Sequence, residues 1–254
     1  MNKKNLILII VCCVLFAAGT SLAQQKPTTI PFPKINLGVG TATDGNDVSV
    51  TLQILLLMTI LSLAPSIIIL TTAYLRIIIV FSFLKSALGT QQMPPSQLLA
   101  AVALFITFFV MAPTWNKVND DALKPLMANK ITVEEAYNKG IEPIRQFMFK
   151  QTRNEDMELF IGLSNQPRPN TRADVPTYIL IPAFVLSELR AGFIMGFFLF
   201  IPFVMIDMII SSILMSMGMM MMPPMMISLP FKILLFVLVD GWNLIVGSLI
   251  RSFS

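Results

Sequence analysis

The 254-residue chain has no histidine, and its only two cysteines, Cys12 and Cys13, sit side by side near the start. The first absence removes the usual general base and the commonest metal ligand. The second leaves no spaced thiols for a metal site or a disulfide framework. Charge is scarce too: 13% of residues are charged, against roughly 25% in an ordinary soluble domain. No Gly-rich phosphate loop and no catalytic carboxylate motif is present. Glu134-Glu135 and Asp120-Asp121 read as solvated pairs in a polar segment. An enzyme is therefore not expected, and neither is a cofactor or a bound metal. No basic stripe with interleaved aromatics occurs, so nucleic acid is not an expected partner.

What the chain has instead is apolar sequence: 55% of its residues are hydrophobic, largely in long runs, the mark of a membrane protein. Residues 1–23 read as a cleaved signal peptide. Lys3 and Lys4 form a basic start, Leu6 to Gly19 an apolar core, and Ser21-Leu22-Ala23 a small-x-small cleavage site. That core is shorter than the ~20 residues of a spanning helix, although a retained anchor is the alternative. Cleavage removes both cysteines and leaves a formal net charge of +2, with the new N-terminus outside the cytoplasmic membrane. A bacterial envelope protein is expected.

Residues 24–47, rich in Pro, Gly, Thr and Asp, read as an extended leader. Residues 48–115 read as a first apolar helical hairpin, with spans near 50–72 and 97–113. A short inner connection between them carries Arg76 and Lys85, as the positive-inside tendency asks. Residues 116–176 then read as a small extracytoplasmic helical domain. Its 117–174 stretch holds nine basic and nine acidic residues. Ile141, Ile144, Phe147 and Met148 recur there at helical spacing, as do Met157, Phe160 and Ile161.

Residues 177–254 read as a second apolar hairpin. Tyr178 to Met222 is 45 residues, roughly twice the ~30 Å hydrocarbon core if helical, so kinks at Pro182 and Pro202 are expected. Glu188, Arg190 and Asp207 interrupt it. A charge at mid-bilayer costs roughly 3 kcal/mol or more, so these groups should face a protein interior or wet cavity. The fold class is all-α: membrane-associated hairpins with kinked long helices and a small outer helical domain. Assembly into an oligomer is implied, because a lone copy is poorly solvated anywhere.

Met215 to Met226, "MSMGMMMMPPMM", holds eight of the 18 methionines. Pro223 and Pro224 should end the helix that begins near Pro202 and turn the chain into one final apolar helix. Gly218 loosens the helix just before them. Repeated around a ring, the methionines would meet at one constriction, where unbranched side chains repack around differing shapes and an apolar throat excludes water and ions. Three other readings stand beside this one. The methionines can be core filler. They can be a thioether copper site in a transporter. Or the intramembrane charges can mark the path of a small solute.

Ile181 to Phe197, "IPAFVLSELRAGFIMGF", and Ile206 to Ile245 closely resemble the two signature stretches of the FliP family, membrane components of the flagellar type III export gate. The likeness runs from about residue 48 onward and includes "TTAYLRIIIVFSFLKSALGTQQMPP". It implies a pentameric ring in the bacterial inner membrane, in the flagellar basal body. FliQ and FliR family subunits join the ring, FliO-type proteins aid assembly, and FlhA and FlhB family proteins dock to it. The exported cargo is unfolded flagellar protein. The injectisome counterpart is the related alternative. The resemblance makes the methionine loop the gasket of the closed pore, with Met219, Met220 and Met221 central and Met217 and Met222 in support.

Asp207 and Lys232 flank this hairpin and read as a structural ion pair, within one chain or between neighbours. With the turn at the prolines, Lys232 lies much nearer the tip than Asp207. Level pairing within one hairpin is then disfavoured, and Asp240 competes on grounds of depth. Glu188 and Arg190 read as contacts between subunits.

Overall fold

The computed structural model describes residues 45–90, 94–164, 167–169, 171–219 and 223–253, and side chains from Leu52 onward. The expected signal peptide and all but the end of the extended leader lie outside these residues, as do Met220, Met221 and Met222. The chain divides into two units, Met1–Met58 and Thr59–Ser254. Every element among the described residues is helical.

Helix α1 spans Gly45–Leu70, and its apolar stretch Leu52–Leu70 is long enough to cross a membrane, with none of it buried. From Thr59 onward it presents Ile60, Leu61, Leu63, Ile67 and Ile68. After a tight turn α2 follows, Tyr74–Leu88, and the main core is built around it. Ile77, Val80, Phe81, Leu84 and Leu88 recur at helical spacing and are at most 7% exposed.

Helix α3, Ser96–Val118, continues through a π-helical turn, Asn119–Leu123, into the short α4, Lys124–Met127. A capping box then starts α5, Val133–Gln151: Thr132 Oγ1 accepts from the Glu135 N–H while the Glu135 carboxylate accepts from the Thr132 N–H. Helix α6 is Asn154–Leu163 and α7 is Thr177–Ser216. A second apolar cluster of Met148, Val175, Ile179, Leu180 and Phe184 joins α5 to the start of α7. Ile144, Phe147, Met157, Phe160 and Ile161 pack against it. The helical spacing seen in the polar segment thus marks a packed face.

Helix α7 runs parallel to α2. Arg76 meets Glu188, Ile79 lies over Gly192 and Phe83 lies over Gly196, a nearly constant offset along both helices. The glycines permit the approach: a Cβ at position 196 would stand 2.5 Å from the Phe83 ring. At 40 residues α7 is one helix, passing through Pro182 and Pro202 without a break. Each proline removes a single ladder hydrogen bond, which the long contact with α2 outweighs.

Two expectations at its C-terminal end change. The helix is stopped at Gly218, before the prolines are reached. Gly218 adopts φ +73°, its N–H donates to Met215 O, and the Met219 N–H donates to Leu214 O. This pair of bonds around a left-handed glycine is the Schellman stop. Pro223 and Pro224 instead cap and open α8, Pro224–Leu238, where a missing N–H costs nothing.

The final apolar helix is also two helices. Asp240, at φ +49°, breaks α8 from α9, Gly241–Arg251, with a bend of 62°. Asp tolerates the left-handed region better than most residues. Gly241 is required beside it, since a Cβ there would lie 2.3 Å from the Phe236 ring.

Three helical stretches are long and apolar enough to cross a membrane: Leu52–Leu70, Ser96–Met127 and Thr177–Ser216. The bent pair α8–α9 makes a fourth if taken as one span. The simple two-sided threading fails, however. Arg76, assigned to an inner connection, donates to Gln151 Oε1 at 3.1 Å, and Gln151 ends α5 of the polar domain. Groups in contact cannot lie on opposite sides of a ~30 Å hydrocarbon layer. The connection is itself the buried helix α2, and its start shares a side with the polar domain.

Candidate functional site

The methionine hairpin is the first candidate. Met217 and Met219 leave the end of α7 with 67% and 43% of their surface exposed, and Met215, Met225 and Met226 are exposed around them. Among the described residues these five thioethers face outward, so within one chain they do not fill a core. Met220, Met221 and Met222 lie outside the described residues.

At the base of this hairpin lies an ion pair that closes it. Lys232 Nζ donates to Asp207 Oδ2 at 2.6 Å, and Ser228 Oγ donates to Asp207 Oδ1 at 2.5 Å. Ser228, Lys232 and Phe236 form the buried stripe of α8, one turn apart. Lys232 also donates to Ala87 O at 3.1 Å. That carbonyl belongs to the last turn of α2, where the helix dipole favours a cation. Gly89, at φ +70°, ends α2 there, and both Lys232 Nζ and Met225 Cε lie within 4 Å of where its Cβ would be.

The pairing of Asp207 with Lys232 reverses the depth argument. The stop at Gly218 shortens the first arm, so that its end at Ser216 lies nine residues after Asp207, and α8 reaches Lys232 eight residues after Pro224. At 1.5 Å per residue these arms are about 13 and 12 Å, so the two groups are level. Asp240 accepts from the Asn243 side chain instead, at 3.2 Å.

A second buried centre sits at the other end of α2. Arg76 is 4% exposed and uses its whole guanidinium. Nε and Nη2 bind the two oxygens of Glu188, with 2.9 Å for Nε to Oε2. Nη1 donates to Ser252 O and Oγ, each at 3.0 Å, and Nη2 also donates to Gln151. The Phe253 ring stacks 4.0 Å from the guanidinium carbon, a cation–π contact. One side chain thus ties α2, α5, α7 and the segment after α9 together. Sequence reading took Arg76 only as an orienting charge. The signal that could have marked it was a lone arginine in a long apolar run, with a lone glutamate in another.

Glu188 is fully buried inside its own chain, so it is not a contact between subunits. Arg190 reaches Asp156 Oδ1 at 3.1 Å, and Asp156 is 2% exposed. Ser187 Oγ donates to Asp156 Oδ2 at 2.7 Å while accepting from the Arg153 N–H at 3.0 Å. These contacts dock α6 onto α7. No cluster of three or more acidic, histidine or cysteine side chains that could hold a metal occurs among the described residues. The groups brought together here hold helices in place.

Comparison with known proteins covers this whole arrangement. The model of the FliP family matches residues 57–249, a span that includes both buried ion pairs and the methionine hairpin. The Flagellar biosynthetic protein FliP of Bacillus subtilis (strain 168) is 54% identical over 217 residues, which cover 85% of this chain and 98% of that one. The protein of that name from Borreliella burgdorferi is 48% identical over 248 residues, covering 94% and 96%. That of Treponema denticola is 42% identical across the full length of both. With likeness of this extent running through every element from α1 to α9, the chain belongs to the FliP family.

Proposed function

We propose that this protein is a subunit of the flagellar type III export gate in the bacterial inner membrane. In this reading, several copies form a pentameric ring whose methionine loops close a polypeptide-conducting pore. The observation that carries the proposal is the methionine hairpin itself. A glycine stop and a proline start delimit a short methionine segment, Met217 and Met219 at its entry are exposed, and the Asp207–Lys232–Ser228 cluster ties the two arms together at its base. A tied base with a soft tip suits a seal that must yield to side chains of every shape and then close against water.

The apolar surface supports assembly. Phe193, Ile194, Phe197, Ile201, Met205 and Met208 line exposed positions of α7, more than a lone soluble copy could leave uncovered. Neighbouring copies and the FliQ and FliR family subunits cover these faces, FlhA and FlhB family proteins dock to the ring, and a FliO-type protein aids its assembly. The polar domain lies outside the cytoplasm, and the start of α2 lies with it. Helix α1, four residues earlier, then rests against neighbouring subunits or dips into the membrane and does not deliver the chain to the cytoplasm. The protein performs no catalysis; energy comes from its partners.

The test is genetic. Deleting the gene should abolish motility and the release of hook and filament proteins into the medium, and a plasmid copy should restore both. Replacing Met219, Met220, Met221 and Met222 together with alanine should keep secretion while making the membrane leak ions. Full secretion without the gene would refute the export reading. An ion-tight membrane in the alanine variant would refute the seal.

A further inference from the structure

A cavity of about 590 Å³ opens where the end of α3 meets α5 and the segment after α9. Its floor is apolar, made by Phe109, Val110, Phe147, Ile250 and Phe253. Its lining includes two ammonium groups, Lys117 and Lys150, and no carboxylate. Both lysines are exposed, and neither forms an ion pair among the described residues. A neighbouring cavity shares Lys117 and is lined by Asp120, Asp121, Glu142 and Lys139. Asp120 is engaged by Lys124 at 2.6 Å and Glu142 by Arg145 at 3.8 Å. That leaves Asp121 against Lys117, Lys139 and Lys150, which form no ion pair among the described residues, and the site remains net positive.

We propose that this cavity binds one anionic phospholipid, with its phosphate between Lys117 and Lys150 and an acyl chain on the phenylalanine floor. The exposed surface of α3 continues the apolar path, through Phe109, Phe108 and Phe105 at 67%, 58% and 75% exposure. Phe105 to Lys117 is twelve residues, about 18 Å of helix, close to the ~15 Å depth of one leaflet. Lysines at the end of an apolar helix place their charge at headgroup level, and basic pockets beside such helices select anionic headgroups. A free phosphate would use the lysines and leave the aromatic floor empty. A zwitterionic lipid would bring its own cation to a site that already has a surplus. The inference rests on α3 meeting the bilayer and is independent of what the methionine loop does.

The test is native mass spectrometry of the purified full-length protein in neutral detergent, offered equal amounts of phosphatidylglycerol and phosphatidylcholine of matched chains. The wild type should retain one phosphatidylglycerol per chain with at least about five-fold preference over phosphatidylcholine. K117Q/K150Q should bring the ratio near one, while K117R/K150R and the distant K130Q/R168Q should keep it. Excess glycerol phosphate should displace little lipid, because the acyl chain contributes. Equal retention of the two lipids by the wild type, unchanged preference in K117Q/K150Q, or complete displacement by glycerol phosphate would each overturn the proposal. If K117Q/K150Q does not purify, the single variants K117Q and K150Q should each lower the preference; no change in either would overturn it.

Discussion

Lys232 and Asp207 stand 25 residues apart in the sequence and meet at 2.6 Å across the base of the methionine hairpin. Lys232 is 3% exposed, and its ammonium donates to that carboxylate and to the Ala87 carbonyl. Removing one partner from a buried pair costs roughly 3–5 kcal/mol, because the survivor is left uncompensated. D207A and K232A should each lower the melting temperature of the purified protein and abolish swimming. Replacing both with apolar residues of like size, D207L/K232M, should recover most of the thermal stability. A double variant as unstable as either single would show that the pair is not what holds the hairpin.

The Arg76 centre gives a different pattern. Lysine cannot supply a planar bidentate fork to Glu188 together with donors to Ser252 and Gln151. R76K should therefore fail nearly as badly as R76A, with a loss on the order of 3 kcal/mol. Removing Ser252 and Phe253 by truncation should cost less, since Glu188 keeps its partner. Denaturant unfolding in detergent measures all three, and R76K at wild-type stability would contradict the account.

The stop at Gly218 makes a prediction about backbone alone. Its φ of +73°, with no neighbour within 4 Å among the described residues, means a side chain there meets backbone strain. G218N should be tolerated, while G218V should cost roughly 1–2 kcal/mol or let α7 run on into the methionines. Motility on soft agar ranks the two variants. Equal motility would imply that the loop does not depend on this stop.

Close packing of α2 on α7 is tested at Gly196. A methyl group there would stand 2.5 Å from Phe83, and forced overpacking typically costs 1–3 kcal/mol. G196A should destabilise the protein, and F83A should relieve part of that loss in the double variant. Simple addition of the two losses would refute the parallel register inferred for these helices.

Much of the fold was legible because membrane sequence writes its helices as long apolar runs. The faces of α5 and α6 could be read from periodicity, and Asp207 and Lys232 could be read as an ion pair, whereas Glu188 and Arg190 read as contacts between subunits. Three features were not legible, each for a physical reason. Gly218 precedes a double proline, and the stronger helix breaker drew the boundary to itself, although at a helix start proline breaks nothing. Asp240 looks like one more charge in a run; its bend depends on Phe236 folding over Gly241. Arg76 was legible as a charge but not as a hub, because its partners Glu188, Gln151 and Ser252 are between 75 and 176 residues away. For the same reason the two-sided threading could not be checked before the Arg76–Gln151 contact was known.

The most direct measurement is site-specific photo-crosslinking in living cells. A photoreactive residue replaces Met219 or Met220, and an exported flagellar protein fused to a tightly folded domain is stalled halfway. The account predicts crosslinks from both positions to the stalled chain, and none from the control position Ala128. With stalling demonstrated, crosslinks only between copies of this protein would contradict it, making the methionine loop a packing element and placing the export path elsewhere.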